Sequence, residues 1–193
     1  PLGFRNTLIY LGVGTFINML ITTMAAYGLS RKDCYWNGKI MKLIAFTMYF
    51  AGGLIPFYLM VKNMNLLDTY SGIILPVMVN TWNLIVMRTA FAGIPDSLEE
   101  SARLDGANDW TILWRIFFPL AQATIAVIAL FYAVGWWNNW FNPSIFLSSK
   151  SKYPLQLVLR EILLKNDTSA MTQVGSIGQS QQEQYRMLVK YCT

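Results

Sequence analysis

The sequence predicts an all-α fold, a multi-pass transmembrane helical bundle. Of its 193 residues, 54% are hydrophobic and only 13% are charged. A soluble domain keeps roughly a quarter of its residues charged to cover its surface, so half that fraction indicates a surface that largely faces membrane lipid. Four stretches also approach the length of about 20 mainly apolar residues that a helix needs to cross the hydrocarbon core. We therefore expect one transmembrane domain over 1–193.

The predicted spans divide the chain into membrane and loop segments. Their bounds in chain order are 6–30, 41–61, 70–92 and 119–140. The second span contains Gly52, Gly53 and Pro56, which break or kink a helix but are tolerated where neighbouring helices satisfy the freed backbone groups. The far end of the fourth span is rich in tryptophan, which is typical of a membrane interface.

Lysine and arginine counts predict the orientation of these spans. The loop after the first span holds Arg31, Lys32 and Lys39, whereas the loop after the second span holds only Lys62. Cytoplasmic loops carry the excess of positive charge, so the first loop is expected in the cytoplasm. Alternation of the spans assigns the remaining segments: a cytoplasmic loop at 93–118, an outer loop at 142–184 and the start of a last span at 185–193.

Composition argues against several classes of function. The net charge of +5 is scattered along the chain and forms no basic stripe, so nucleic acid is not expected as a partner. The chain has no histidine and only two cysteines, Cys34 and Cys192, so neither a metal site nor a cofactor is expected. The sequence contains no phosphate-binding G-x-x-x-x-G-K-[ST] loop, and its predicted spans contain no acidic residue, so we do not expect an enzyme. A passive channel or a scaffold is an alternative.

The loop 93–118 is longer than a connector needs and has the pattern of two short helices. Asp96 is predicted to cap the first helix, with Glu99 reaching back to it in a capping box. Glu99 also stands four residues before Arg103, which is the spacing of a helical ion pair. Gly106 is expected to end this helix in the left-handed conformation.

A second short helix is predicted over 110–118, started by Asn108 or Asp109 and stopped by Pro119. A helix of about eight residues is too short to be stable alone in water, so the first helix is expected to dock on another surface. Its predicted docking face consists of Leu98, Ser101, Ala102 and Asp105. Glu100 is placed to pair with a cationic group across an interface. The alternative is an amphipathic helix that lies on the membrane surface.

A specific sequence pattern runs through the same loop. Residues 100–107 read Glu-Ser-Ala-Arg-Leu-Asp-Gly-Ala, and Ile-Phe-Phe-Pro follows at 116–119. This pattern resembles the cytoplasmic loop of binding-protein-dependent ABC importer permeases, in which alanine is commonest at the position of Ser101. Three further stretches resemble the carbohydrate-uptake branch of those permeases, and they are 52–56, 83–89 and 153–157.

The resemblance implies a permease subunit in the cytoplasmic membrane of a bacterial-type cell that passes a sugar or oligosaccharide. It also implies a homologous second permease subunit, cytoplasmic ATPase subunits and an extracytoplasmic sugar-binding protein as partners. Permeases of this family have about six spans, so the chain would lack the first and most of the last. A permease for an amino acid, a peptide or an ion is an alternative, because the loop is common to many substrate classes.

The resemblance also gives the loop residues a role in coupling to the ATPase. Glu100 is expected to anchor the first helix in a cleft of the ATPase, with Leu98 and Ala102 packed in that cleft. Gly106 is expected to supply backbone freedom between the two short helices. Ser101 and Asp105 complete the predicted coupling residues.

Polar and aromatic residues in the third and fourth spans are candidates for the substrate pathway. They are Asn80, Asn83, Tyr132, Trp136 and Asn139. Amides pair with sugar hydroxyl groups, and aromatic rings stack on sugar faces. The alternative is structural, because asparagines in spans often bond neighbouring helices and interfacial tryptophans often anchor in the headgroup region. In the outer loop, a short amphipathic helix predicted over 153–164 is a candidate contact for the binding protein.

Overall fold

A computed structural model of the chain describes residues 2–31, 36–50 and 52–164, and every regular element within these ranges is helical. The all-α prediction is therefore confirmed. In chain order the elements are α1 (Leu2–Ser30), α2 (Asn37–Tyr49), α3 (Leu54–Asn63), α4 (Tyr70–Ile74), a 3₁₀ turn (Leu75–Val77), α5 (Thr81–Ala92), α6 (Asp96–Leu104), α7 (Asp109–Ile112), a π-helical turn (Leu113–Phe117), α8 (Phe118–Leu120), α9 (Gln122–Trp137), α10 (Phe141–Phe146), a second 3₁₀ turn (Lys150–Lys152) and α11 (155–164).

Among the described residues, α1 is the one unbroken helix that is long and apolar enough to cross a membrane. The number rises to four if each of three bent helix pairs is one span. These pairs are α2 with α3, 70–77 with α5, and 109–120 with α9. The second pair bends by 51° and the third by 86°. The helix of the fourth predicted span begins at Gln122 and ends at Trp137, inside the expected bounds of 119–140.

The centre of the bundle is α1, which packs chiefly against α5 and α9. The core between them is apolar and includes Met87, Phe91 and Ile128, each at most 1% exposed. Large apolar side chains also remain exposed on the outside of the described part, among them Phe16 at 69%. An apolar exterior of this kind suits helices that are surrounded by lipid or by other helices.

Gly106 ends α6 in the left-handed conformation, as the sequence predicts. Gly106 has a φ of 80°, in the left-handed region that favours glycine. The Ala107 N–H donates to the Ala102 carbonyl at 2.9 Å, and the Gly106 N–H donates to the Arg103 carbonyl at 3.0 Å. These are the two hydrogen bonds of a Schellman motif, which satisfy the last carbonyl groups of a helix.

The prediction of a capping box at the start of α6 is wrong. Pro95 occupies the N-cap position, Asp96 is already the first helical residue, and no side chain caps the helix. Glu99 does not reach back along the helix, because its carboxylate binds two arginines instead.

The expectation that Pro119 stops the second helix of the loop is also wrong. Helical structure runs from Asp109 through Leu120, and the Phe118 N–H donates to the Leu113 carbonyl in a wide π-type turn just before the proline. A proline lacks an N–H and crowds the preceding turn, so a widened turn accommodates it. Asn108, one of the two predicted starts, caps this helix with its side chain.

Asp68, in the loop after α3, binds the loop 147–152, which lies near the N-terminal end of α1. Its Oδ1 accepts a hydrogen bond from the Ser149 N–H at 3.1 Å, and its Oδ2 lies 3.3 Å from the Lys152 Nζ. Hydrogen bonds from Ser149, with a smaller effect of Lys152, lower the pKa of Asp68 to about 2. The Asn6 amide donates to the Ser151 carbonyl at 2.7 Å and ties the same loop to α1.

Part of the predicted outer region lies within the structure. Residues 155–164 are helical, inside the predicted bounds of 153–164. The remainder of the outer loop, 165–184, and the start of the last predicted span, 185–193, lie outside the described residues, as do Lys32 and both cysteines.

Candidate functional site

An open cleft of about 310 Å³ lies beside the middle of α1. Its walls come from α1, the 3₁₀ turn after α4, α5, α9 and the stretch after α9. It is lined by Asn18, Val77, Asn80, Asn83, Phe131, Tyr132, Gly135, Trp136, Asn139 and Asn142. The structure thus brings together all five residues that the sequence indicates for the substrate pathway, and it adds two further asparagines.

Tyr132 is buried, and its hydroxyl group joins three elements of the cleft. The Tyr132 and Thr22 hydroxyl oxygens are 2.8 Å apart, and the Asn80 backbone N–H donates to the tyrosine oxygen at 3.1 Å. Because this oxygen accepts from Asn80, its own proton is available for Thr22. The hydroxyl therefore joins α1, the start of α5 and α9 at the cleft, which leaves the aromatic ring of Tyr132 for contact with a ligand.

Asn80 and Asn83 occupy the beginning of α5. The Asn80 Oδ1 accepts a hydrogen bond from the Asn83 backbone N–H at 3.1 Å, which makes Asn80 the N-cap of this helix. An asparagine cap stabilises a helix by about 1 kcal/mol. The cap uses the side-chain oxygen of Asn80 and leaves its NH₂ group as a donor. Asn83 is only 6% exposed and lies deeper than Asn80.

Asn18, in the middle of α1, is a cleft residue that sequence reasoning missed. It is 2% exposed, and its side-chain oxygen accepts no hydrogen bond from any residue in the described ranges. A buried amide oxygen without a partner is costly, which makes Asn18 a candidate for binding a polar group. The available signal was an asparagine within an otherwise apolar helix, because polar side chains inside a membrane span are expensive.

Trp136 is held against α1 at Gly14. A Cβ atom added at Gly14 would lie 2.5 to 2.8 Å from three atoms of the Trp136 indole ring, so only glycine permits this approach. The Tyr10 ring lies nearly parallel to the indole, with 6.5 Å between ring centroids. Trp136 is 5% exposed and therefore forms a fixed wall of the cleft.

The cleft is neutral. Its lining contains amides and aromatic rings and no Lys, Arg, Asp or Glu. No group of three or more potential metal ligands occurs within 2–31, 36–50 and 52–164. This set of groups suits a ligand with many hydroxyl groups and a flat face, which amides bind by hydrogen bonds and rings bind by stacking.

The second candidate region is α6, which meets the C-terminal end of α1. Five of the six predicted coupling residues lie on its exposed side or at its end, and they are Leu98, Glu100, Ser101, Asp105 and Gly106. Leu104, which sequence reasoning did not select, is 89% exposed and lies between them. Leu98 is 41% exposed, and two exposed leucines on one short helix mark a surface available for docking.

Ala102 differs from the other predicted coupling residues. It is half-buried and packs against the chain's own core. The reason is helical geometry, because Ala102 follows Glu99 by three residues and therefore shares its inward face. The small side chain allows α6 to approach the bundle closely.

Glu99 lies on that inward face and forms the predicted pair with Arg103. Its Oε1 accepts hydrogen bonds from Arg103 at 2.9 and 3.1 Å. Its Oε2 contacts Arg31, which the sequence indicated only as a marker of membrane orientation. No local spacing rule connects residues 31 and 99, so sequence reasoning missed this second pair.

Residues 19–180 match the family described as the inner membrane component of binding-protein-dependent transport systems. The chain belongs to this family. The matched range contains all of α6 and every lining residue of the cleft except Asn18.

Two curated relatives of this family member come from Bacillus subtilis (strain 168). One is the polygalacturonan/rhamnogalacturonan transport system permease protein YtcP, which is 41% identical over 179 residues, or 92% of this chain and 63% of the relative. The other is protein LplC, which is 42% identical over 158 residues, or 82% of this chain and 54% of the relative. The chain thus spans less than two thirds of the length of these relatives.

A solved structure has the same fold. It is described as a bacterial ABC transporter involved in the import of the acidic polysaccharide alginate. The two chains are 38% identical and superpose with a TM-score of 0.81 over 83% of this chain and 57% of the other.

Proposed function

We propose that this chain is a transmembrane permease subunit of an ATP-driven ABC importer that passes a sugar or oligosaccharide across the cytoplasmic membrane. An extracytoplasmic binding protein delivers the substrate. A homologous second permease subunit completes the pathway, and cytoplasmic ATPase subunits supply the energy.

The observation that carries the proposal is the neutral cleft of amides and rings beside α1. Its volume of about 310 Å³ is at the small end of the roughly 300–1,000 Å³ of ligand pockets, so it holds one or two sugar units. A second permease would face the open side of the cleft. The names of YtcP and of the alginate importer support an acidic polysaccharide fragment as the substrate class.

The neutral lining defines what this chain recognises in such a substrate. No described lining residue carries a positive charge that would pair with a sugar carboxylate. Recognition by this chain then rests on hydroxyl groups, through Asn18, Asn80, Asn83 and Asn139, and on stacking against Trp136 or Tyr132.

The coupling function belongs to α6 and its exposed residues. Glu100 anchors the helix to the ATPase by a charge-assisted hydrogen bond, and Leu98 and Leu104 pack in the ATPase cleft. Ser101, Asp105 and Gly106 border this contact, whereas Ala102 holds α6 on the bundle. In this arrangement α1 and the three bent pairs are four spans, with α6 on the cytoplasmic side.

The test is uptake into proteoliposomes that contain the whole importer. We expect ATP-dependent accumulation of labelled oligogalacturonides in the presence of the binding protein. Asn139→Ala should lower this uptake at least tenfold, because Asn139 lines the cleft. Asn138→Ala is the matched control, because Asn138 is exposed outside the cleft lining and bonds only the preceding turn, and its uptake should stay within twofold.

Three results would contradict the proposal in different ways. Equilibration without ATP would indicate a passive channel. Uptake of amino acids, peptides or ions with no uptake of saccharides would indicate the non-sugar permease. Equal effects of Asn138→Ala and Asn139→Ala would remove the cleft from the pathway.

A further inference from the structure

The side chain of Arg31, directly after α1, lies between two aromatic rings. Its guanidinium carbon is 4.3 Å from the centre of the Tyr27 ring and 4.2 Å from the centre of the Phe117 ring. The side chain is only 12% exposed. Tyr27 belongs to α1 and Phe117 to the π-helical turn, so the guanidinium is held by two elements through cation–π contacts.

The buried carboxylate of Glu99 meets this guanidinium from α6. The Glu99 side chain is 11% exposed; its Oε2 contacts Arg31, while its Oε1 accepts two hydrogen bonds from Arg103. Arg103 also reaches the Asp109 Oδ1 at 3.0 Å. Two carboxylates and two guanidinium groups thus form one cluster that joins α1, α6 and α7.

The two sides of this cluster differ in burial, and burial decides how strongly each pair holds. Separating Arg31 from Glu99 would break a salt bridge between two largely buried side chains, which is strongly unfavourable. The Arg103–Asp109 pair is largely exposed, at 47% and 68%, and solvent weakens it. Of the ion pairs that Glu99 and Arg103 of α6 form with other elements, the firm one is therefore the pair with Arg31 at the end of α1.

We propose that the buried Arg31–Glu99 pair, clamped between Tyr27 and Phe117, makes α6 and α1 move as one body. A displacement of α6 then passes along α1 to Asn18 in the cleft, 13 residues or roughly 20 Å away at 1.5 Å per residue. Glu99 is a positioning residue in this scheme, distinct from its neighbour Glu100, which faces outward. The inference rests on the proposed function, because it assigns a route to the motion that the ATPase drives.

The first test measures saccharide transported per ATP hydrolysed in proteoliposomes of the complete importer. Glu99→Gln keeps the size of the side chain and removes its charge. We expect ATP hydrolysis within about twofold of the wild type and transport per ATP reduced at least tenfold. Asp109→Asn is the matched control, because it removes an exposed charge of the same cluster, and its ratio should stay within twofold. A wild-type ratio for Glu99→Gln would overturn the inference.

A second variant covers the case in which Glu99→Gln does not assemble. Arg31→Lys keeps the positive charge but removes the planar guanidinium group. A lysine ammonium can neither stack between two aromatic rings nor form two parallel hydrogen bonds to a carboxylate. We expect a reduction of transport per ATP of about threefold or more in assembled importers. A wild-type ratio in this variant would equally overturn the inference.

A distance measurement tests the rigid connection without any substrate. Spin labels are placed at Gly28→Cys on α1 and Ser97→Cys on α6, in a chain with Cys34→Ser and Cys192→Ser. The distance between the labels should be the same in nucleotide-free and ATP-bound importers and should change with ATP in the Glu99→Gln background. A distance that changes with ATP in the background with Glu99 intact contradicts the inference. Absence of saccharide uptake by the wild-type importer contradicts the proposed function instead.

Discussion

At the scale of single residues, two adjacent glutamates have opposite environments. Consecutive helical residues point about 100° apart, so Glu99 faces the bundle while Glu100 faces outward. Glu99 is satisfied by two arginines of its own chain, and Glu100 is free to bind a partner subunit. One carboxylate thus makes ion pairs inside the chain, and the next is exposed, as the proposed docking to the ATPase requires.

The outward position of Glu100 predicts the effect of reversing its charge. Glu100→Lys should leave the fold of the chain intact, because the side chain is exposed, but it should repel the cationic group expected on the ATPase. We expect transport to fall at least tenfold and ATP hydrolysis to be uncoupled from it. The measurement is uptake together with phosphate release in proteoliposomes, and transport at the wild-type rate would remove the role of Glu100.

The unsatisfied amide of Asn18 gives a second prediction at this scale. Asn18→Leu removes a buried oxygen without a partner in the described structure, so the thermal stability of the purified importer should stay equal or rise. Saccharide uptake should nevertheless fall at least threefold, because a polar group of the cleft is lost. A variant that loses stability and uptake together would show that Asn18 has only a structural role.

Several of these residues were predictable from sequence and others were not. Asn80, Asn83 and Asn139 stand out because amides are rare in apolar spans, and the structure places all three in one cleft. Arg31 and Glu99 lie 68 positions apart, and only the packing of α6 on the end of α1 brings them together.

At the scale of elements, the contact of α1 with α9 depends on a glycine. Gly14→Ala would place a Cβ atom within 2.8 Å of the Trp136 ring and push this ring into the cleft. Overpacking of this kind typically costs about 1–3 kcal/mol. Gly12→Ala is the matched control, because nothing lies within 4 Å of the added atom, and alanine favours a helix over glycine by up to about 1 kcal/mol.

Thermal unfolding in detergent and saccharide uptake check this pair of variants. Gly14→Ala should unfold at lower temperature and transport poorly, while Gly12→Ala should match or exceed the wild type in stability and retain uptake. Equal unfolding temperatures and equal uptake for the two variants would contradict the close packing of Gly14 against Trp136.

The loops joined by Asp68 give a prediction about pH. The pKa of this carboxyl is lowered from its ordinary 3.8 to about 2, so its contribution to stability is complete above about pH 4 and is lost as the pH falls through 2. We expect the loops 64–69 and 146–152 to become sensitive to an acid-active protease only below pH 4. Asp68→Asn should be sensitive at every pH, and a wild-type transition near neutral pH would contradict this assignment.

Sequence patterns predicted one end of a helix correctly and two others wrongly. Gly106 fixed the end of α6 because only a left-handed residue closes a Schellman motif there. The start of α6 was mispredicted because a tertiary contact to Arg31 competes with the local capping box for Glu99. Pro119 was mispredicted because a π-type turn lets the helix continue past it.

At the scale of the whole molecule, the structure has functional regions at two levels of one long helix. The C-terminal end of α1 meets α6, and its middle forms a wall of the cleft. The helical structure that completes the cleft is interrupted at 78–80, and α9 ends at Trp137 just before the lining residue Asn139. Such interruptions provide irregular backbone where a cavity is lined. In the proposed mechanism, a movement of α6 at the C-terminal end of α1 changes the access to the cleft at its middle.

The proposed importer function implies that nucleotide binding to the ATPase changes the side of the membrane to which the cleft is open. The most direct measurement is labelling of Asn139→Cys by a membrane-impermeant thiol reagent added outside, in an importer whose chain carries Cys34→Ser and Cys192→Ser. We predict rapid labelling with ATP bound and at least tenfold slower labelling without nucleotide, while Asn138→Cys is labelled equally in both states. Equal labelling rates of Asn139→Cys in the two states would contradict the claim.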